Sequence, residues 1–194
     1  MKSAIALVDY DNIAPIKELN EVDQTLNIDS IVSGTVRYMR QHFPDTTELH
    51  MRIYGGWVNE EGAYSQRASW MLAQLHKFRK RLQTIVVKPE MVVALADIPH
   101  FEVRGTLRGR PARQKMVDTL MTTDLVTLAQ AGRFSSIFLV SSDDDMIPGI
   151  IKSRQVAPAI MLCVLRARIN ATQGCNDAVL QRCGAWVHNF GEYL

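Results

Sequence analysis

Two apolar runs of the chain end abruptly in carboxylates. The first reads Leu7-Val8-Asp9-Tyr10-Asp11-Asn12 and the second Leu139-Val140-Ser141-Ser142-Asp143-Asp144-Asp145-Met146. Consecutive aspartates repel one another unless a proton, a cation or solvent relieves them. Taken alone, the second run also suits a loop that caps the helix after it, because Asp and Ser are favoured at helix starts. Taken together, Asp9 and Asp143 point to a metal site, since strand-end carboxylates of one parallel sheet can converge on one crevice. Oxygen donors with no His or Cys partner suit a hard cation such as Mg2+ or Mn2+.

A third acidic element precedes the second run, in Lys115-Met116-Val117-Asp118-Thr119-Leu120-Met121-Thr122-Thr123-Asp124-Leu125. Its apolar positions Val117, Leu120, Met121, Leu125 and Leu128 trace one face of a helix. Lys115 and Asp118 are neighbours on such a helix. Asp118 and Asp124 differ in direction by roughly 120°, so both can flank a site without serving one ion equally. Either aspartate alone reads as an ordinary polar face.

The elements that must position these residues alternate along the chain. Unbroken apolar runs predict strands at 4–8, 51–54, 84–87, 137–140 and 159–165, with a weaker one at 185–190. Helical periods are expected at 29–42, 63–81, 113–131, 146–154 and 176–182. Asp29 or Ser30 is placed to cap the first, and Gly132 to stop the third. The expected architecture is an α/β three-layer sandwich around a mostly parallel central sheet. No repeat, low-complexity tract or Ser/Gly linker divides the 194 residues, so a single domain spanning 1–194 is expected.

Composition narrows the setting. At 47% hydrophobic residues the chain can bury a core, which excludes wholesale disorder. No apolar run approaches the roughly 18 residues of a membrane span; 91–96 is about the longest. The run at 4–8 is too short for a signal-peptide core and ends on Asp9. Cys163, Cys175 and Cys183 are odd in number and lack CxxC spacing, which argues against a disulfide framework or structural zinc. A reducing, cytoplasmic location is expected, with Cys163 as a small core residue.

In this order, the three acidic elements resemble the NYN domain, a branch of the PIN-like nuclease fold that includes LabA-like proteins. Asp9 and Asn12 match its first motif, Lys115, Asp118 and Asp124 its second, and Asp143 and Asp145 the aspartates of its third. Tyr54-Gly55-Gly56-Trp57 is similar to a further family feature. The resemblance spans about residues 3 to 165, and the C-terminal helix and strand complete the domain. Ser142 and Asp144 stand where the third motif has glycines, and Met146 where it has an aromatic; Asp144 is either a further ligand or a solvated neighbour.

The resemblance implies a PIN-like fold and a metal-dependent nuclease, with RNA expected ahead of DNA. It implies Asp9, Asp118, Asp143 and Asp145 as ligands of Mg2+ or Mn2+, with Asp124 as a further ligand or an outer positioner. Asn12 would orient a ligand or the attacking water. Lys115 would contact the scissile phosphate or restrain the acidic cluster, unless it is a simple surface pair with Asp118. Arg104, Arg108, Arg110 and Arg113 lie in a Gly- and Pro-containing segment that leads into the Asp118 helix, a placement suited to gripping a phosphate backbone. A solvated basic loop is the plainer reading of that segment. Lys77, Arg79, Lys80 and Arg81 are explained by a helix C-terminus. Trp57 is expected to pack, with base stacking as the alternative.

Two rivals remain. Asp9-Tyr10-Asp11 also resembles the start of haloacid-dehalogenase-type phosphatases, but Asn12 and Ile13 depart from that pattern and the helical aspartates go unexplained. The other is a nucleic-acid-binding module of the same fold that has lost efficient cleavage, to which the altered Ser142/Asp144 turn would be suited. Net charge does not decide against nucleic acid. The overall +2 hides a polarity: without Asp9, Asp11, Asp118, Asp124, Asp143, Asp144 and Asp145, 22 basic residues face 13 acidic ones.

Overall fold

In a computed structural model the described residues are 2–13, 21–55, 92–95, 106–107, 113–114, 117–166 and 176–193. The apolar run behind Asp9 forms β1 (Lys2–Asp9), buried from residue 4 onward. That burial on both faces explains its lack of polar alternation. β2 (Thr46–Tyr54) and β3 (Val92–Leu95) lie to one side of β1, and β6 (Ser136–Val140), β7 (Met161–Arg166) and β8 (Trp186–Asn189) to the other. The order is β3-β2-β1-β6-β7-β8, and every neighbouring pair is parallel. A separate antiparallel pair joins β4 (Thr106–Leu107) to β5 (Arg113–Gln114).

Helices cover both faces, giving the three-layer α/β sandwich. Helix α1 (Glu21–His42) packs Ile31, Val32, Val36, Tyr38 and Met39 with Ala4, Ala6 and Val8 on one face. Helices α2 (Val117–Ala131), α3 (Ile147–Val156) and α4 (Asp177–Arg182) pack with Ile5 and Leu7 on the other. Odd and even residues of β1 thus serve opposite layers, as the two-residue strand period requires. Gly132 stops α2 at φ 63°, where a side chain is disfavoured. At Gly149 the α3 backbone lies close against the Thr122 side chain of α2: a Cβ there would lie 2.4 Å from Thr122 Cγ2.

Several expected boundaries move. Helix α1 begins at Glu21, so Asp29 and Ser30 sit inside it instead of capping it. Its early turns contain good helix formers without a clear apolar stripe, and periodicity alone misses them. Residues 113–114 pair as β5 instead of opening α2, an instance of pairing overriding helix propensity. The apolar run at 91–96 contributes β3; a run that short does not distinguish strand from helix. The expected strand at 84–87 and helix at 63–81 lie outside the described residues. Among the described residues, no helix is long and apolar enough to cross a membrane.

Candidate metal centre

The chain runs outward from β1 through β2 to β3, then returns to place β6 on the opposite side of β1. The strand order therefore reverses between β1 and β6. In parallel α/β sheets, such a reversal opens a crevice beyond the carboxyl ends of the two strands. Asp9 ends β1, and the 141–145 turn leaves β6 beside it.

Three carboxylates gather at this crevice. One oxygen each from Asp118, Asp143 and Asp145 lies within 4.8 Å of the others. An octahedral ion with metal–oxygen bonds of about 2.1 Å sets its ligand oxygens about 3.0 or 4.2 Å apart, so small side-chain rotations would close the group around one. Asp118 stands in the first turn of α2 and is oriented by the buried stripe Val117, Met121, Leu125 and Ala129. The turn is held by its own polar groups. The Asp143 N–H donates to Ser141 Oγ at 3.0 Å, and the Asp145 N–H donates to Asp143 Oδ1 at 3.0 Å. Asp143 and Asp145 are thereby fixed relative to each other.

Asp9 is adjacent but does not join that group. It is 1% exposed, and its Oδ2 accepts from Asn12 Nδ2 and from Ser141 Oγ, both at 2.8 Å. The same Asn12 nitrogen reaches Asp143 Oδ2 at 3.3 Å. Asn12 thus links the buried Asp9 to the cluster through one amide, a geometry suited to orienting Asp143. Asp124 is turned elsewhere as well. Alternation along β2 sends Arg52 and Tyr54 to the α2 face, where Arg52 Nη1 at 3.0 Å and Tyr54 Oη at 2.7 Å both donate to Asp124 Oδ2. Burial first, and then the bond to Asp124, pushes the Tyr54 hydroxyl far above its ordinary pKa, so it remains a donor.

Asp144, between two of the cluster aspartates, is neither a member of the cluster nor a solvated neighbour. Its Oδ1 accepts from Arg166 Nη2 at 2.5 Å, and its Oδ2 from the Asn176 N–H at 3.0 Å and Asn176 Nδ2 at 3.1 Å. Burial pushes its pKa up, but the Asn176 N–H and the Arg166 guanidinium outweigh it and hold the carboxyl below its ordinary value.

Lys115, Arg104, Arg108 and Arg110 lie outside the described residues, as do Trp57 and the 77–81 cluster. Arg113 is described only as backbone, in β5. Sequence reasoning missed Ser141, Arg52 and Arg166 as parts of the site. Arg166 carries a recoverable signal, because it ends a buried strand of the same sheet just as Asp9 does.

The fold and site together define a parallel α/β sandwich with an acidic cluster at its topological switch point. No protein-family model matches the chain, and no curated protein does. Among solved structures the chain is similar to VPA0982, a protein of unknown function from Vibrio parahaemolyticus, at 13% identity and a TM-score of 0.44. That match covers 97% of this chain and 91% of the other.

Proposed function

We propose that this protein is a metal-dependent nuclease that hydrolyses phosphodiester bonds, of RNA ahead of DNA. One observation carries the reading: carboxylate oxygens of Asp118, Asp143 and Asp145 lie within 4.8 Å of one another at the switch point. All three donors are hard oxygens, which fits Mg2+ or Mn2+. Such an ion would lower the pKa of a bound water and offset charge building on the phosphodiester. The chain's own part is to hold the three carboxylates, with Asn12 and the buried Asp9 orienting Asp143 from behind.

The NYN-like order of motifs supports the same reading. So does the basic segment carrying Arg104, Arg108, Arg110, Arg113 and Lys115, which leads into the helix bearing Asp118 and suits a phosphate backbone. In a phosphatase of the haloacid-dehalogenase type Asp9 would be the nucleophile. Its burial, with Oδ2 already accepting two hydrogen bonds, weighs against that role. A cytoplasmic location fits the free Cys163 and Cys183. A second reading, a nucleic-acid-binding module without efficient cleavage, is favoured by the engagement of Asp9 and Asp124 outside the cluster.

The deciding experiment offers labelled single- and double-stranded RNA and DNA to the purified chain with Mg2+, Mn2+ or EDTA. Metal-dependent cleavage of RNA is expected, abolished by Asp118→Asn and by Asp143→Asn with binding retained. A wild type that binds RNA and cuts nothing with either metal removes the nuclease reading and leaves the binding module.

A further inference from the structure

The triple aspartate poses a problem that the metal reading does not solve. Three adjacent carboxylates on one turn would compete for an ion and repel one another, yet only Asp143 and Asp145 join the cluster. We propose that Arg166 is a positioning residue of the metal centre. Its guanidinium fixes the backbone of the 141–145 turn and draws Asp144 aside, leaving Asp143 and Asp145 to the ion. This inference rests on the metal reading above.

Three contacts carry it. Arg166 is 4% exposed, and its planar head uses each of its nitrogens on a different acceptor. Nη1 donates to the Asp143 carbonyl at 3.0 Å, Nη2 to Asp144 Oδ1 at 2.5 Å, and Nε to Asp177 Oδ1 at 3.0 Å. The first bond is to the backbone of a cluster residue, so moving Arg166 moves Asp143. The second holds the intervening carboxylate, whose other oxygen is occupied by Asn176. The third ties the assembly to the start of α4. Neighbouring strands fix the arginine itself: the Phe190 N–H donates to its carbonyl at 2.6 Å, and the Ser141 N–H donates to the Leu165 carbonyl at 3.2 Å. The turn and the arginine are thereby held side by side. A lysine, with a single ammonium, cannot reproduce a rigid fork serving three acceptors.

The test compares the full-length wild type with Arg166→Met, Arg166→Lys and Asp144→Asn, none of which alters a cluster carboxylate. Mn2+ binding is measured by calorimetry at about 0.1 M and about 0.5 M KCl, alongside thermal melts without metal. Arg166→Met is expected to weaken Mn2+ binding by about 10–100-fold, as loss of a residue behind a metal ligand does, with Arg166→Lys restoring part of it. Asp144→Asn is expected to weaken binding by about tenfold, and the loss should persist at the higher salt. A mere through-space loss of charge would fade there. A folded Arg166→Met variant with wild-type Mn2+ affinity overturns the proposal. Should that variant fail to fold, wild-type affinity in Asp144→Asn, or a loss that vanishes in high salt, overturns it equally. A wild type that binds no Mn2+ sinks this proposal and the metal reading together. One that binds Mn2+ but cleaves nothing sinks the nuclease reading alone.

Discussion

Asp143→Asn should make the metal-free protein more stable while removing its response to metal. The substitution takes one charge from three carboxylates whose ligand oxygens lie within 4.8 Å of one another. Two unit charges at that distance repel by about 0.9 kcal/mol in water and about 3.5 kcal/mol at an effective dielectric constant near 20. Asp118 and Asp143 are half-buried and Asp145 is exposed, which keeps each pair near the lower figure. Removing one charge relieves two pairs, about 2 kcal/mol. Two losses oppose this gain. The new amide meets the Asn12 Nδ2 donor, now 3.3 Å from Oδ2, and the Asp145 N–H loses a charged acceptor at 3.0 Å. Together these cost about 1 kcal/mol. The net gain of about 1 kcal/mol corresponds to a Tm rise of about 2–4 °C for a chain of this size. With Mn2+ at about 100 times its Kd, the wild type should gain about 2.7 kcal/mol, or about 5–11 °C, and overtake the variant. Circular dichroism melts in EDTA and in Mn2+ at neutral pH measure both quantities. A variant less stable than wild type in EDTA rules out net repulsion within the cluster, and one that Mn2+ stabilises equally rules out Asp143 as a ligand.

Three further outcomes are expected. Asp124→Asn should lower stability by about 1–2 kcal/mol in urea titrations, because Arg52 and Tyr54 lose a charged acceptor. Its Mn2+ affinity should be unchanged, and a large loss would restore Asp124 as a ligand. His188 has a pKa below its ordinary 6.5, through burial first and the neighbouring His42 second. The unfolded chain therefore binds the proton more readily, so this group's contribution to stability rises with pH from the lowered value up to about 6.5 and is flat above. Urea midpoints across that window should rise less steeply in His188→Gln, and parallel curves would remove the assignment. Gly149→Ala should cost about 1–3 kcal/mol through the 2.4 Å approach to Thr122 Cγ2, read as a lower Tm, and an unchanged Tm would show that the helices part freely.

Much of the architecture was legible where one constraint ruled. Ile137, Phe138, Leu139 and Val140 had to form a strand covered on both faces, and all are buried in β6. Cys163 had to be core and is fully buried, its thiol pushed up to about 12 by that burial. Elements with competing local preferences were less legible. The first turns of α1 lack an apolar stripe, and residues 113–114 exchanged helix propensity for a partner at 106–107. The roles of Arg52, Tyr54 and Arg166 were hidden for another reason: each contacts an aspartate far away in sequence or across a turn, where spacing rules carry no information.

The sequence by itself determined that acidic groups end buried strands and that a helical aspartate precedes the second of them. It could not determine which carboxylates meet. That was decided by the strand order, which set β6 against β1 and opened the crevice, and by the partners each carboxylate found there. Asn12 and Ser141 hold Asp9 back, Arg52 and Tyr54 turn Asp124 aside, and Arg166 withdraws Asp144. Identical side chains were sorted into cluster members and supports by where the fold sets each carboxylate and by which donors hold it there.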